Sequence, residues 1–258
     1  MEKISKAQIK LVRSLQMKKF RDETGLFVAE GSKCVEELCK GFELVYRVQS
    51  TEYGVQSDSL TASVKEIEQM SGLRTPQGVI GVFKKRTLTD IPLEEAKEGE
   101  IVLALDGIQD PGNLGTIIRT CDWFGVHDIF CSIETADCYN PKVVQATMGA
   151  LARVRVHYVD LPAWLEGVKN QESGIKSSIY GTLLDGKNMY EVVKDKRPQC
   201  SKAKEIIVMG NEGNGISPEV RKLITHPIRI PSYPQNAETS ESLNVSIATA
   251  IVLAEFRR

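Results

Sequence analysis

Hydrophobic positions divide the chain into two stretches of different rhythm. From Lys6 to Met17, Ile9, Val12 and Leu15 recur at helical spacing. The short run Leu26 to Ala29 then reads as a strand, Gly31 to Lys40 as a helix carrying Val35 and Leu38, and Leu44 to Val48 as a second strand. Val64 to Met70 reads as a helix and Val79 to Phe83 as a third strand, which together make a compact α/β unit. Between Thr87 and Gly99 the periodicity is lost and Pro92, Glu94, Glu95 and Glu98 gather. Residues 91–99 are therefore expected to link a small domain, 1–90, to a larger one, 100–258. Beyond the linker, strand-like runs at Ile101 to Leu105, Asp128 to Ser132, Val154 to Val159, Ser178 to Thr182, Ile206 to Met209 and Ile228 to Ile230 alternate with helical patterns. Such alternation predicts a mostly parallel sheet covered on both faces.

The last helical pattern is the exception to ordinary amphipathicity. Leu243, Val245, Ile247, Ala248, Ala250, Ile251, Val252, Leu253 and Ala254 leave hardly any polar face, so this helix is expected to be buried nearly all round, with a second subunit as a natural cover. Asn244 and Ser246, polar groups at its start, then need hydrogen-bond partners. For Asn244, structural capping and a supporting role in chemistry both stand open.

Composition adds limits. The 258 residues, 41% hydrophobic, allow a full core, and the formal net charge of −1 means that any RNA contact must come from local basic patches. The first residues lack the apolar stretch of a signal peptide and no run is long enough to span a bilayer, so no membrane association and a cytoplasmic location are expected. The cysteines, Cys34, Cys39, Cys121, Cys131, Cys138 and Cys200, form no C-x-x-C pair, and the histidines lie far apart in sequence. Buried reduced thiols and no metal site are expected. Lys6, Lys10, Arg13, Lys18, Lys19 and Arg21 make the most basic stretch; Lys18, Lys19 and Arg21 are candidate RNA-phosphate contacts, with a solvated helix face as the alternative. Lys84-Lys85-Arg86 is a second such cluster.

Candidate chemistry sits in two turns and the start of the last helix. Asp106-Gly-Ile-Gln-Asp-Pro-Gly-Asn-Leu-Gly-Thr-Ile-Ile-Arg119 runs from a strand into a helix for which Asn113 is a suitable cap. Leu114, Ile117, Ile118 and Cys121 form its buried stripe, and Arg119 projects from the other face. In the second turn, Gly210-Asn-Glu-Gly-Asn-Gly215 has neither dinucleotide-loop spacing nor a P-loop lysine, and Glu212 would repel phosphate. Ser217-Pro218 after it reads as a helix start with a capping hydroxyl. A ligand that is neutral or positive where it meets the backbone suits this loop, and S-adenosylmethionine fits that description.

Asn113-Leu-Gly-Thr-Ile-Ile-Arg119, Val208-Met-Gly-Asn-Glu-Gly-Asn-Gly-Ile216 with Ile230-Pro231, and Ser242-Leu-Asn-Val-Ser-Ile-Ala248 resemble the three signature motifs of the SpoU/TrmH-type RNA 2′-O-ribose methyltransferases of the SPOUT superfamily. Phe27-Val-Ala-Glu-Gly31 and Thr75-Pro-Gln-Gly78 resemble the small substrate-binding domain that many of these enzymes carry. The resemblance implies an α/β fold, with a SPOUT-type parallel sheet and a deep C-terminal trefoil knot, preceded by a small L30e/L7Ae-like domain. It implies S-adenosylmethionine as cofactor and RNA as substrate; the small N-terminal domain favours ribosomal RNA over transfer RNA, and the apolar helix from Leu243 to Ala254 predicts a homodimer through the first and last helices of the larger domain. Arg119 aligns with the catalytic arginine. A guanidinium holds its proton too firmly to act as a base, so Arg119 is assigned to clamping phosphate and stabilising the developing alkoxide. Asn113, Glu212, Ser242 and Asn244 would hold the arginine and the ribose. Gly210, Ile230 and Leu243 align with cofactor-contacting backbone, and Thr182 and Leu183 with a loop that borders the cofactor. The stretch Ser232 to Glu241, on the rim of that pocket, looks longer than in many relatives. The alternatives are a transfer RNA 2′-O-methyltransferase and a non-catalytic RNA-binding assembly factor; a nucleotide-dependent dehydrogenase is disfavoured by the missing phosphate loop.

Overall fold

The computed structural model describes residues 2–53, 58–86, 101–170, 177–194, 204–234, 240 and 242–258. The chain forms two compact units, residues 1–87 with 137–153 and residues 88–136 with 154–258. The segment Asp137–Arg153, placed by the sequence pattern within the larger domain, thus groups with the N-terminal residues. The expected linker, 91–99, lies outside the described residues.

In the first unit, α1 (Lys6–Ser14) and α2 (Lys18–Thr24) precede β1 (Leu26–Glu30), α3 (Ser32–Leu38), β2 (Leu44–Ser50), β3 (Ser59–Ala62), α4 (Val64–Met70) and β4 (Val79–Lys84). The sheet order is β1-β4-β2-β3, antiparallel except for the β2–β3 pair. Both α1 and α4 begin with a capping box, Ser5 with Gln8 and Ser63 with Glu66, in which the hydroxyl takes one orphan amide and the third helical side chain returns to the cap. Their apolar stripes, Val12 and Leu15 on α1 and Ile67 and Met70 on α4, bury against Val28, Val48, Ile80 and Val82. Strand residues alternate faces, so Phe27 and Phe83 point the other way and meet Phe42 and Tyr139 in an aromatic cluster.

The second unit runs β5 (Ile101–Asp106), α5 (Pro111–Trp123), β6 (Asp128–Ser132), β7 (Arg155–Val159), α7 (Leu161–Lys169), β8 (Ser177–Asn188), α8 (Met189–Lys194), β9 (Lys204–Gly210), α9 (Pro218–Arg221), β10 (His226–Arg229) and α10 (Val245–Arg257); α6 (Pro141–Thr147) belongs to the first unit. Its six strands lie in the order β10-β8-β9-β5-β6-β7, and every pairing is parallel. One face buries Val102, Ala104, Ile206 and Val208 against Leu161, Leu165 and Val220 of α7 and α9. The alternate residues Leu103, Leu105 and Ile207, all fully buried, face the opposite side, where α10 packs on β9 and α5.

At the N-terminal edge of this sheet, Asp128 receives the Arg155 guanidinium (Nε 2.7 Å) and His157 Nε2 (2.8 Å). The His157 ring stacks on Phe130, which stacks in turn on Trp164. Burial alone would raise the Asp128 pKa, but the hydrogen bonds from His157 and Arg155 outweigh it and hold the carboxyl at about 2. None of the five described cysteines is in a disulfide; Cys34, Cys121, Cys131 and Cys138 are buried, whereas Cys39 is exposed, against the expectation that all would lie inside.

Candidate active site

Strand order changes direction between β5 and β9, because the chain steps outward from β5 through β6 to β7 and only later returns to β9 on the other flank. In open parallel sheets the crevice outside the carboxyl ends of the strands at such a switch is where ligands bind. Asp106 and Gly210, the last residues of β5 and β9, lie in register there. The two turns singled out in the sequence leave the sheet at this point.

The turn after β5 needs Gly107 in the left-handed region (φ 71°), which a side chain would strain. Its carbonyl accepts from Asn211 Nδ2 at 2.7 Å, so the first turn is fastened to the glycine loop. Asp110 caps α5 by accepting from Asn113 N at 2.8 Å, and Pro111 takes the first helical position. The cap is therefore Asp110 and not Asn113. A proline at 111 fixes the first turn one residue after Asp110, which frees the Asn113 side chain inside the helix for another partner.

That partner is on the second turn. Asn113 Nδ2 donates to Glu212 Oε1 at 2.9 Å, and Asn113 Oδ1 accepts from Asn244 Nδ2 at 3.0 Å. Asn244 in turn caps α10, its Oδ1 accepting from Ser246 N (3.0 Å), Ser246 Oγ (2.6 Å) and Ile247 N. The backbone donors of Ser246 and Ile247 fix the orientation of the Asn244 amide, whose Nδ2 then fixes that of Asn113, so the network has one polarity and ends on a carboxylate. Glu212 is exposed and its Oε2 makes no hydrogen bond among the described residues. Of the two readings left open for Asn244, the structure shows the cap.

The glycine loop itself is organised by Asn211, which the sequence reading passed over. Its Oδ1 accepts from Gly213 N and Asn214 N, and its backbone exchanges two hydrogen bonds with Gly215. An asparagine ahead of glycines is the sequence sign of such a turn. A Cβ on Gly210 would lie 2.4 Å from the Gly215 carbonyl carbon, so glycine is needed there for the loop to fold back on itself. Ser217 N donates to Asp106 Oδ2 at 2.7 Å, while the Ser217 hydroxyl, expected to cap α9, makes no capping bond.

Arg119 stands on the exposed side of α5 with Thr116, away from the buried Leu114, Ile117, Ile118 and Cys121. Its guanidinium has no hydrogen bond or ion pair among the described residues. Ser242 is exposed and likewise outside the network. Of the expected cofactor contacts, Thr182 donates to the Val208 carbonyl at 3.2 Å, beside the end of β9. Leu183, within β8, and Ile230, just past the end of β10, are half-buried, and Leu243 is 48% exposed next to Asn244. On the rim stretch 232–241, residues 235–239 and 241 lie outside the described residues.

The basic candidates separate sharply. Arg21 is 1% exposed: its guanidinium donates to Asp137 Oδ2 at 2.7 Å and to the carbonyls of Leu15 and Gln16. Its expected role on phosphate is thus corrected, because every donor faces inward and serves the packing of α2. Lys18 and Lys19 are exposed and each stands 3.8 Å from an acid four residues on, Asp22 and Glu23. Lys84 pairs with Glu43 and Lys85 with Asp22.

Two family models match the chain: the SpoU rRNA Methylase family over residues 100–254 and an MRM3-like substrate binding domain over residues 6–81. The 23S rRNA (guanosine(2553)-2′-O)-methyltransferase RlmP of Bacillus subtilis is 30% identical, covering 99% of this chain and 98% of that protein. The 23S rRNA (guanosine-2′-O-)-methyltransferase RlmB of Neisseria meningitidis is 33% identical over 70% of this chain and 69% of its own. The structure of an AdoMet-bound rRNA methyltransferase from Sinorhizobium meliloti superposes with a TM-score of 0.81 at 30% identity, covering 100% of this chain and 96% of that one. The matched region runs from the strand before Asn113 to the helix capped by Asn244, so it spans every member of the switch-point network, and the chain belongs to the SpoU rRNA methylase family.

Proposed function

We propose that the protein transfers a methyl group from S-adenosylmethionine to a ribose 2′-hydroxyl of ribosomal RNA. The observation that carries this reading is the one-way network Asn244–Asn113–Glu212 at the switch point, with an untethered Arg119 on the same helix as Asn113. The relatives named above, which act on 23S ribosomal RNA, favour that substrate over transfer RNA.

The residues expected to contact the cofactor suit it. Small and apolar positions, Gly210, Thr182, Leu183, Ile230 and Leu243, offer backbone and aliphatic surface, and Glu212 gives the loop a negative charge that a sulfonium tolerates and a phosphate does not. When bound, S-adenosylmethionine supplies an electrophilic methyl group on a positively charged sulfur. The chain's own part is to position and polarise the nucleophile. Arg119, with its planar fork, holds the adjacent phosphate and stabilises charge growing on the 2′-oxygen. Glu212 Oε2 accepts a hydrogen bond from the ribose, and Asn113 fixes the carboxylate by occupying Oε1. Ser242 lies on the exposed approach to this network and is assigned to the ribose side.

The same proposal includes a homodimer, a cytoplasmic setting and the knotted C-terminal segment. For the dimer, α5 and α10 run side by side, tied at one end by Asn113 and Asn244 and at the other by Arg257, which donates to the Phe124 and Gly125 carbonyls. This pair leaves Trp123 85% and Ile247 53% exposed, so a single chain does not bury α10 all round and a second copy would cover it. Among the described residues no helix is long and apolar enough to cross a membrane. For the knot, the supports are β9 seated beside β5 in the sheet and the last helix returning to α5.

The direct test is methyl transfer from isotopically labelled S-adenosylmethionine to ribosomal RNA, followed by mapping of the 2′-O-methylated nucleotide. Ribosomal RNA that gains no label, with transfer RNA labelled instead, would overturn the substrate. A dimer requires twice the chain mass in solution at micromolar concentration.

A further inference from the structure

Within the most basic stretch of the sequence, the structure separates paired cations from unpaired ones. Lys18, Lys19, Lys40, Lys84 and Lys85 each stand within ion-pair distance of an acid, and Arg21 is buried. On α1 the pattern differs. Lys6, Lys10 and Arg13 fall at i, i+4 and i+7 and are all exposed, because Val12 and Leu15 take the opposite face into the core. None of the three has an acid partner among the described residues. They therefore form one cationic stripe about 10 Å long on a helix fixed at its start by the Ser5 capping box.

The stripe ends at a cleft. Between the C-terminal ends of α1 and α4 lies an open cavity of about 420 Å³ lined by Arg13, Gln16, Glu68, Gln69, Met70 and Ser71. Gln16 reaches the Met70 carbonyl across it (3.4 Å), and Ser71 is fixed by its hydrogen bond to the buried Glu30. The cleft thus presents a carboxylate and two amides, groups that accept from and donate to the polar edge of a nucleobase. Glu68 would repel a phosphate placed inside.

We propose that the α1 stripe and this cleft together form a subsite for a single-stranded stretch of the substrate RNA, a proposal that rests on the functional reading above. The sugar-phosphate backbone follows Lys6, Lys10 and Arg13, and an unstacked base enters between Gln16, Gln69 and Glu68. Unpaired nucleotides suit the site because only they can turn a base edge away from the strand. Phosphate contacts supply affinity and its salt dependence, whereas the cleft reads the base.

The test is binding of the full-length protein to a single-stranded RNA of mixed sequence across a series of salt concentrations. In K6Q/K10Q/R13Q, where glutamine keeps helix propensity, affinity should fall at least about ten-fold at low salt and the slope of log affinity against log salt should shrink by about 2, one phosphate contact at a time. K40Q, at a lysine already paired with Glu37, should match the unaltered protein. Q69A should weaken binding about three- to ten-fold without changing the slope, since it removes a neutral contact. A far-UV circular dichroism spectrum and a thermal unfolding profile that match the unaltered protein show that each variant is folded, since the altered residues lie in the first unit and not beside the cofactor site. A triple variant that keeps both affinity and slope overturns the stripe, and a Q69A protein that binds as before overturns the cleft. If the unaltered protein itself ignores RNA, the functional reading fails first and the subsite with it.

Discussion

The two edges of the six-stranded sheet carry polar clusters of similar make-up and opposite design. At the N-terminal edge, Asp128, Arg155 and His157 satisfy one another, with the histidine ring packed on Phe130. At the C-terminal edge, Asn244, Asn113 and Glu212 pass hydrogen bonds in one direction and stop at an exposed carboxylate, while Arg119 is held by nothing among the described residues. A closed cluster lowers the energy of the fold; an open one keeps its last acceptor and its charge for something that arrives later. A cluster's function can therefore be judged from whether its hydrogen-bond account closes, not from how many charges it gathers.

The largest effect should come from the open edge. Arg119→Ala removes one charge-stabilising donor and should lower the methyl-transfer rate by about 10²–10³ with unfolding midpoint and cofactor affinity unchanged. Arg119→Lys keeps charge but loses the fork; a lysine variant with most of the parent rate would show that a point charge suffices and would sink the clamp. At the closed edge the pattern reverses. Asp128→Asn should destabilise by about 2 kcal/mol, because Arg155 and His157 then face an amide, while the rate per folded molecule measured below the unfolding transition stays that of the parent. A fall in rate without a fall in stability would break the comparison.

Asn244 sharpens the contrast, since it closes α10 and opens the network. Asn244→Ala should cost about 1 kcal/mol through the lost cap and should also slow methyl transfer. Asn244→Asp keeps the cap but turns a donor toward Asn113 into an acceptor; stability should hold and only the rate should fall, by about ten-fold. The smallest effect is in acid. The Asp128 carboxyl is held at about 2, below its value of about 3.9 in an unfolded chain. Its contribution is present in full above the unfolded value and fades as pH falls from there toward 2. The stability gap between parent and Asp128→Asn, from denaturant titrations, should narrow across that window.

Much of this was legible in the pattern of residues. Val64–Met70 and Asp128–Ser132 fall where periodicity puts them, because the apolar positions of each keep a single rhythm. Strand β3, Ser59–Ala62, was missed since one leucine among small polar residues has no rhythm to read. Arg21 looked like a surface cation because its partner, Asp137, is 116 residues away, and nothing local marks a charge for burial. The motif residues were found by resemblance, but their wiring was not. That Asp110 would take the cap and release Asn113 depends on where the first turn closes, and the direction of the network depends on α10 reaching α5.

That last dependence has a temporal side. Asn113 and Asn244 are separated by 131 positions, and Arg257 fastens the far end of the same helix pair. Closing a loop of that length costs about 4 kcal/mol in chain entropy before the contact returns anything, so the pairing should form late on the folding route. Until α10 docks, Asn113 lacks its donor and Glu212 has no fixed orientation. The orientation of the network is thus expected to be set after the sheet has packed, because it waits on the docking of one helix onto another across that long loop.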